Sequence, residues 1–335
     1  MLHILRRFDV CTIGAGSRDV FVKSSHFEKE RDSKAPDGFD ACFPMGAKIP
    51  LDDVIFETGG GATNAAVTFS RFGLSTTCIC AVGQDQNGKS IIEVLKKEKV
   101  DFSGIQEIEN QQTNFSVIIL AGTGQRSILV HRGAASALET NQIVWRRMRS
   151  RWTYLTSLGG EMKKNRDIIA QCTKRKSKIA WNPGNGELQK GLATLKPLIE
   201  QVDILIVNLE EAAMLAKQDS KNLKTIIKEL KDLPKTALVI TDGPRGAYVY
   251  DIASKKLWTS SALPGKRINT TGAGDAFGSA FVAAYIKTEN CVDGIRAGLL
   301  NSLGVITHMG AKAGILKKFP SKQRLRRIKV HTVKL

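Results

Sequence analysis

Between Ile268 and Ile286 the chain reads INTTGAGDAFGSAFVAAYI, a polar glycine-rich turn that runs directly into a helix of small residues. A helix start carries unpaired backbone N–H groups and the positive end of the helix dipole. Gly272, Ala273 and Gly274 have little or no side chain, so a phosphate can approach those N–H groups and have its charge stabilised there. Asp275 follows at the same helix start. A carboxylate repels a bound phosphoryl group, so its place there suits the acceptance of a proton from an attacking hydroxyl. An N-capping aspartate after a glycine turn explains the same residue without chemistry.

Three other stretches carry weaker signals. In TGGGATNAAVTFSRFG (58–73), glycines precede a helix; bare backbone at Gly60 and Gly61 lets a ligand lie against the chain, and Asn64 in the first turn can present its amide to hydroxyls. In VNLEEAAML (207–215), a strand ends at Asn208 and Glu211 follows three residues on, placed to hold hydrated magnesium near phosphates or simply to cap its helix. In VITDGPRGAYVY (239–250), Thr241, Gly243 and Gly246 surround a strand–turn–strand that borders a nucleotide or is a plain hairpin.

The elements that must position these residues follow from hydrophobic pattern. DVCTIG (9–14), TTCICAV (76–82), WTYLTS (152–157), KIAWN (178–182), VDILIV (202–207) and TALVIT (236–241) are short, nearly continuous apolar runs, as strands buried on both faces require. Segments 62–72, 89–98, 164–172 and 223–231 repeat their apolar residues at helical spacing. The alternation predicts an α/β fold, a doubly wound and mostly parallel sheet flanked by helices. Residues 17–58 and 113–133 break the rhythm with polar, Pro/Gly-punctuated and alternating patterns, the latter being NFSVIIL and RSILVHR joined by AGTGQ. Both read as antiparallel and are expected to form a small β-sheet lid over a cleft, with 1–16, 59–112 and 134–335 as the core.

Composition narrows the class. At 335 residues with 42% hydrophobic and 24% charged residues, the chain is an ordinary globular protein, expected to be cytoplasmic and free of the membrane. Six scattered cysteines lack metal-site spacing and read as reduced thiols. The net charge of +18 is concentrated late: no acidic residue follows Asp293, while Lys312, Lys317, Lys318, Lys322, Arg324, Arg326, Arg327, Lys329 and Lys334 do. A solvated basic segment, rather than a nucleic-acid contact, is the expectation for these.

Taken in order, the glycine turn at 58–61, N-x-x-E, T-x-G-x-x-G and TTGAGDAF resemble the ribokinase-like, or PfkB, family of carbohydrate kinases from Asp9 to about Gly314. The resemblance implies transfer of the terminal phosphate of ATP, with Mg2+, to a hydroxymethyl group of a sugar, or of a nucleoside in the alternative. It makes Asp275 the general base and Gly272, Ala273 and Gly274 its anion hole. It assigns Asp19, Gly60, Gly61 and Asn64 to the acceptor, and Asn182, Asn208, Glu211, Thr241, Gly243, Gly246 and Asn301 to the nucleotide and metal side. Arg132 is an exposed arginine or a contact for an acceptor anion. Exposed lid strands would favour a homodimer. Two positions depart from the family pattern: Asn269 stands where an aspartate helps hold a monovalent cation, and Gly61 where ribokinases carry lysine. A dependence on potassium is therefore not expected.

Two rival readings compete for glycine-rich turns. Residues 83–90, GQDQNGKS, satisfy the P-loop pattern literally, though after an earlier βα unit and without a well-placed strand-end aspartate. A dinucleotide-binding turn at Gly14–Ala15–Gly16 fails because Asp19 would oppose the pyrophosphate.

Overall fold

The computed structural model describes residues 7–33, 38–121 and 125–335. Its main sheet has nine strands. From one edge, Thr76–Ile79, Phe8–Ile13, Ser150–Thr156, Lys178–Asn182, Ile204–Asn208 and Ala237–Thr241 run parallel. Ala247–Asp251, Lys256–Ser260 and His331–Val333 continue it antiparallel.

The apolar runs are explained by burial on both faces. Leu155, Trp181, Leu205 and Leu238 point into a layer completed by Ile168, Leu195, Leu215 and Ile227. Their neighbours Tyr154, Ala180, Ile206 and Val239 point into the opposite layer, with Phe69, Phe281 and Ile295. Helices Gly61–Arg71, Ala273–Thr288 and Cys291–Ile306 form that second layer. Two of them carry the glycine-rich turns at their starts, so this face brings together residues 60–64 and 272–275. The run at 76–82 is not one strand: after Ile79 the chain leaves the main sheet, and Ala81–Gly83 pairs instead with Gln106–Ile108.

A separate four-stranded sheet has the order Gln125–His131, Phe115–Ala121, Ser17–Lys23, Asp53–Gly59. Residues 122–124, the middle of the AGTGQ turn, lie outside the described residues. Each of the two lid segments pairs antiparallel within itself, as expected, and the segments join each other in parallel. Ser17–Lys23 runs antiparallel to Asp53–Gly59 but parallel to Phe115–Ala121. The latter two are joined through the core rather than by a hairpin, and a long crossover permits parallel pairing. The register sets Asp19 beside Glu57 and Ser116, and Phe21 beside Ile55 and Ile118. Because side chains alternate along a strand, one face of this sheet is polar near Asp19 and apolar two residues further out.

Candidate active site

Gly60 is the N-cap of helix Gly61–Arg71 at φ 94°, and a Cβ there would lie 2.4 Å from the Ala15 carbonyl oxygen. Only glycine allows the chain to cross the Gly14–Ala15–Gly16 turn so closely. At Gly61 a Cβ would meet the Thr156 side chain at 3.0 Å. Both missing side chains therefore face protein rather than ligand, which corrects the reason for these glycines: they let chain pack on chain. What they offer an acceptor is backbone alone. Their effect is to seat Asn64, buried in the first helical turn, against the start of helix Ala273–Thr288.

Gly272 caps that second helix at φ 79°, and a Cβ on it would lie 2.4 Å from the Cβ of Ala311. At Gly274 a Cβ would meet nothing within 4 Å among the described residues. The glycine pair thus splits into one position closed by the fold and one open to the cleft. Asp275, in the first turn, accepts a hydrogen bond from Asn64 Nδ2 at 2.9 Å. Burial raises its pKa above the ordinary aspartate value and Asp19 adds to the rise, while the Asn64 bond and the Lys312 charge oppose it.

Lys312 was expected in the solvated basic segment, and the structure corrects this. It is 5% exposed, and its Nζ donates to Thr58 O and to Asn64 Oδ1, both at 2.7 Å. Burial lowers its pKa to about 8, against the pull of Asp19, Asp275 and Glu57. Asp19 is buried too and accepts from Ser17 Oγ at 2.9 Å; desolvation raises its pKa. Glu57 is raised for the same reason. Three carboxylates thus surround one ammonium at the foot of the smaller sheet. Neither Lys312 nor Glu57 stood out in the sequence, since a lysine in a basic run and a glutamate on a polar strand have ordinary surface types.

The loop 267–274 lines two cavities. On one side a cleft of about 300 Å³ is bordered by Asn208, Thr241, Gly243, Gly246, Ala273 and Gly274, with Phe277 and Leu263 as apolar walls. On the other a cleft of about 280 Å³ lies against the smaller sheet, lined by Phe21, Lys23, Asp53, Ile55, Leu120, Ile268 and Met309. Arg126 of that sheet donates to Thr270 Oγ1, so the sheet touches the loop directly.

Other expected residues sort by their bonds. Asn208 and Glu211 form a reciprocal cap, Asn208 Oδ1 accepting from Glu211 N and Glu211 Oε2 from Asn208 N, both at 2.8 Å. Burial and the charges of Glu210 and Asp275 raise the Glu211 pKa, as expected of a carboxylate facing a site with surplus negative charge. Asn182 sits at its strand end and donates to Ile206 O at 2.9 Å, outside the lining of the Thr241 cleft. Asn301 does not line that cleft either. It is wholly buried, donating to Ala276 O at 2.9 Å and accepting from Leu316 N at 3.0 Å, so its amide is consumed in tying helices together. Its helix neighbours Ser302 and Leu303 line the cleft instead. Arg132 is exposed.

The P-loop reading fails on geometry. Asp85 caps helix Gln86–Lys97 by accepting from Gly88 N at 2.8 Å. A Cβ at Gly83 would lie 2.1 Å from Gln111 O, so that turn is closed on protein and offers no phosphate cradle. Lys89 is exposed.

Comparison with known proteins agrees with this geometry. The pfkB family carbohydrate kinase pattern matches residues 46–318, and the chain belongs to that family. It is accordingly a phosphotransferase with an alcohol group as acceptor. It is 24% identical over 264 residues to a ribokinase of Haemophilus influenzae, covering 77% of this chain and 83% of the relative. A putative sugar kinase of Pyrococcus horikoshii is 29% identical over 71% of this chain and 77% of its own length. Among solved structures, the Methanocaldococcus jannaschii nucleoside kinase superposes with a TM-score of 0.74 at 19% identity, covering 96% of this chain and 99% of its own. Arabidopsis thaliana ribokinase complexed with ribose and ATP gives 0.74 at 18% identity, covering 96% and 98%. A putative ribokinase II from E. coli, in complex with ATP and Mg2+, gives 0.75 at 16% identity, covering 96% and 98%. These likenesses establish the ribokinase-like fold. Among the described residues no helix is long and apolar enough to cross a membrane.

Proposed function

We propose that the protein transfers the terminal phosphate of ATP to a hydroxymethyl group of a sugar or sugar-like molecule, with Asp275 as general base. One observation carries this: a single loop, 267–274, walls two clefts, and Asp275 stands at its end, bonded to Asn64. ATP occupies the Thr241–Gly274 cleft with its phosphates against the N–H groups of Gly272–Gly274. The acceptor lies under the smaller sheet, which acts as a lid, with hydroxyls on Asp19, Glu57 and Asn64. Asp275 takes the hydroxyl proton as that oxygen bonds to the γ-phosphorus. The bond to the bridging oxygen breaks and ADP leaves. The helix-start N–H groups stabilise the charge that develops on the transferring oxygens.

The residues present fit a hydrated magnesium ion. Magnesium keeps several waters and binds few carboxylates. Among the described residues Glu211 has one carboxylate oxygen engaged in its cap, and its pKa is raised by burial, with the charges of Glu210 and Asp275 adding to the rise. Held through water by Glu211, the ion would supply neutralisation of phosphate charge. A monovalent cation has no comparable support. Asn269 is buried, its Oδ1 accepts from Thr271 N at 3.0 Å, and its Nδ2 has no hydrogen-bond partner among the described residues. What remains at that position is a donor, which repels a cation.

A second reading, a nucleoside acceptor, is favoured by the apolar part of the lid cleft. Phe21, Ile55, Leu120, Ile268 and Met309 would suit a flat base better than a solvated sugar. Measuring ADP release with a panel of ribose, fructose, sugar acids and nucleosides separates the two. Turnover of sugars alone removes the second reading, and no turnover with any hydroxymethyl acceptor removes the first.

The lid also supports a homodimer. Its edge strands expose Val54, Phe56, Ile128 and Leu129, apolar surface that a second copy would cover. All six cysteines are free thiols, which supports a cytoplasmic setting. No nucleic-acid role is assigned to the basic C-terminal segment.

A further inference from the structure

The reaction described above leaves one buried charge unused. Lys312 lies in the loop after helix Cys291–Ile306, 248 residues from Asn64 in sequence, yet the two side chains are bonded. An ammonium has donors and no acceptor. It therefore forces the Asn64 oxygen toward itself, and the planar amide then turns Nδ2 to Asp275 Oδ2. The flipped amide would put N–H against ammonium and oxygen against carboxylate, repulsive at both ends. The second bond, to Thr58 O, anchors Lys312 to the strand carrying Glu57.

We propose that Lys312 is a positioning residue for phosphoryl transfer, setting through Asn64 the orientation and ionisation of Asp275. This rests on Asp275 being the proton acceptor. Lys312 does not reach the reacting atoms itself; it supplies a fixed positive charge two hydrogen bonds away.

The groups facing the ammonium come from every element packed on it. Asp19 stands on strand Ser17–Lys23, Glu57 on Asp53–Gly59, Asp275 on helix Ala273–Thr288, and the Cys78 thiol on Thr76–Ile79. Cys80, just beyond that strand, also feels Lys312. Arg71 approaches from helix Gly61–Arg71, donating to Lys312 O at 3.3 Å, but its guanidinium is paired with Glu98 at 2.6 Å. Arg18 lies on the reverse face of its strand and acts on Asp19 and Glu57. The carboxylates outnumber the ammonium, so losing its proton leaves them without their buried counter-charge. With a pKa lowered to about 8, Lys312 is charged below that pH and loses its charge as pH rises through it. Turnover should then fall on the alkaline side as the clamp on Asn64 relaxes.

Five proteins decide the matter, assayed on whichever acceptor the panel identifies: the parent, Lys312→Met, Lys312→Arg, Asn64→Leu, and Asn64→Leu combined with Lys312→Met. Lys312→Met should lower kcat roughly 10- to 100-fold with smaller changes in KM, as expected when a reacting group is misplaced. Its acid limb should move to higher pH, because Asp275 has lost a charge that favours ionisation. Lys312→Arg should restore much of kcat and abolish the alkaline limb near pH 8, since guanidinium stays protonated. If Lys312 acts through Asn64, adding Lys312→Met to Asn64→Leu should cost nothing more. Parental kcat and unchanged limbs in folded Lys312→Met would overturn the proposal. Should that variant not fold, an alkaline limb that persists in Lys312→Arg overturns it equally. Parental turnover in Asp275→Asn would instead remove the base assignment. A dead Asp275→Asn beside an unaffected Lys312→Met would remove this proposal alone.

Discussion

Gly272 and Gly274 are two residues apart at one helix start, and the same substitution should affect them in opposite ways. At Gly272 the backbone is left-handed, φ 79°, and a Cβ would stand 2.4 Å from Ala311 Cβ and 2.9 Å from its Cα. Placing alanine in that conformation costs about 1 kcal/mol. Forcing the contact with Ala311 adds about 1–3 kcal/mol, because one of the opposing atoms is backbone and cannot rotate away. With an unfolding entropy of about 2.1 cal/mol/K per residue, a loss of about 2–4 kcal/mol lowers Tm by roughly 3–6 °C for a chain of this length. At Gly274 a Cβ meets nothing within 4 Å among the described residues, and alanine is the better helix former by about 1 kcal/mol. Gly274→Ala should therefore melt at or slightly above the parental temperature. Its methyl group, however, stands where a phosphate must approach the N–H groups, so ATP affinity should fall at least about tenfold, or about 1.4 kcal/mol. Thermal melts and calorimetric ATP titrations on both variants test this. Parental ATP affinity in Gly274→Ala would refute the placement of the phosphates, and an unchanged Tm in Gly272→Ala would refute the steric argument.

Lys89→Ala should leave ATP binding and turnover within about twofold of the parent, because Lys89 is exposed on a helix whose start is already capped by Asp85; loss of nucleotide binding would revive the P-loop. Rates in potassium, sodium and tetramethylammonium buffers should agree within about twofold, since Asn269 leaves a donor where a cation would need an acceptor. A large activation specific to potassium would show that backbone carbonyls suffice.

What was legible in the sequence follows from what each signal depends on. The six parallel strands are apolar on both faces, so their runs survive without any knowledge of partners. Asp275 and Asn64 were legible because glycine-rich helix starts are local features, readable over a few residues. Lys312 was not, because its role is set by partners at 58 and 64, and by composition it belonged to a basic tail. Asn301 shows the mirror image: its residue type suits a ligand contact, while its amide bonds Ala276 O and Leu316 N inside the fold. The parallel pairing of Ser17–Lys23 with Phe115–Ala121 was also hidden, since alternation reveals which face of a strand is buried but not its neighbour's direction.

The proposed transfer needs a carboxylate that acts on the acceptor hydroxyl. A hydroxymethyl proton is weakly acidic, and a placed base contributes roughly 10²–10⁴-fold as the oxygen attacks. Asp275→Asn keeps size and reach while removing basicity, and asparagine caps helices about as well as aspartate. It also removes a negative charge that burial, with Asp19 adding, already disfavours by raising the Asp275 pKa. The variant should fold with a parental or higher Tm, bind ATP at least as tightly as the parent, and lose turnover by about 10²-fold or more. The measurement is single-turnover phosphate transfer from ATP to the identified acceptor, with Tm and ATP affinity taken on the same preparations. Loss of transfer with ATP binding intact is the predicted result; near-parental transfer by a folded Asp275→Asn protein would contradict the central claim.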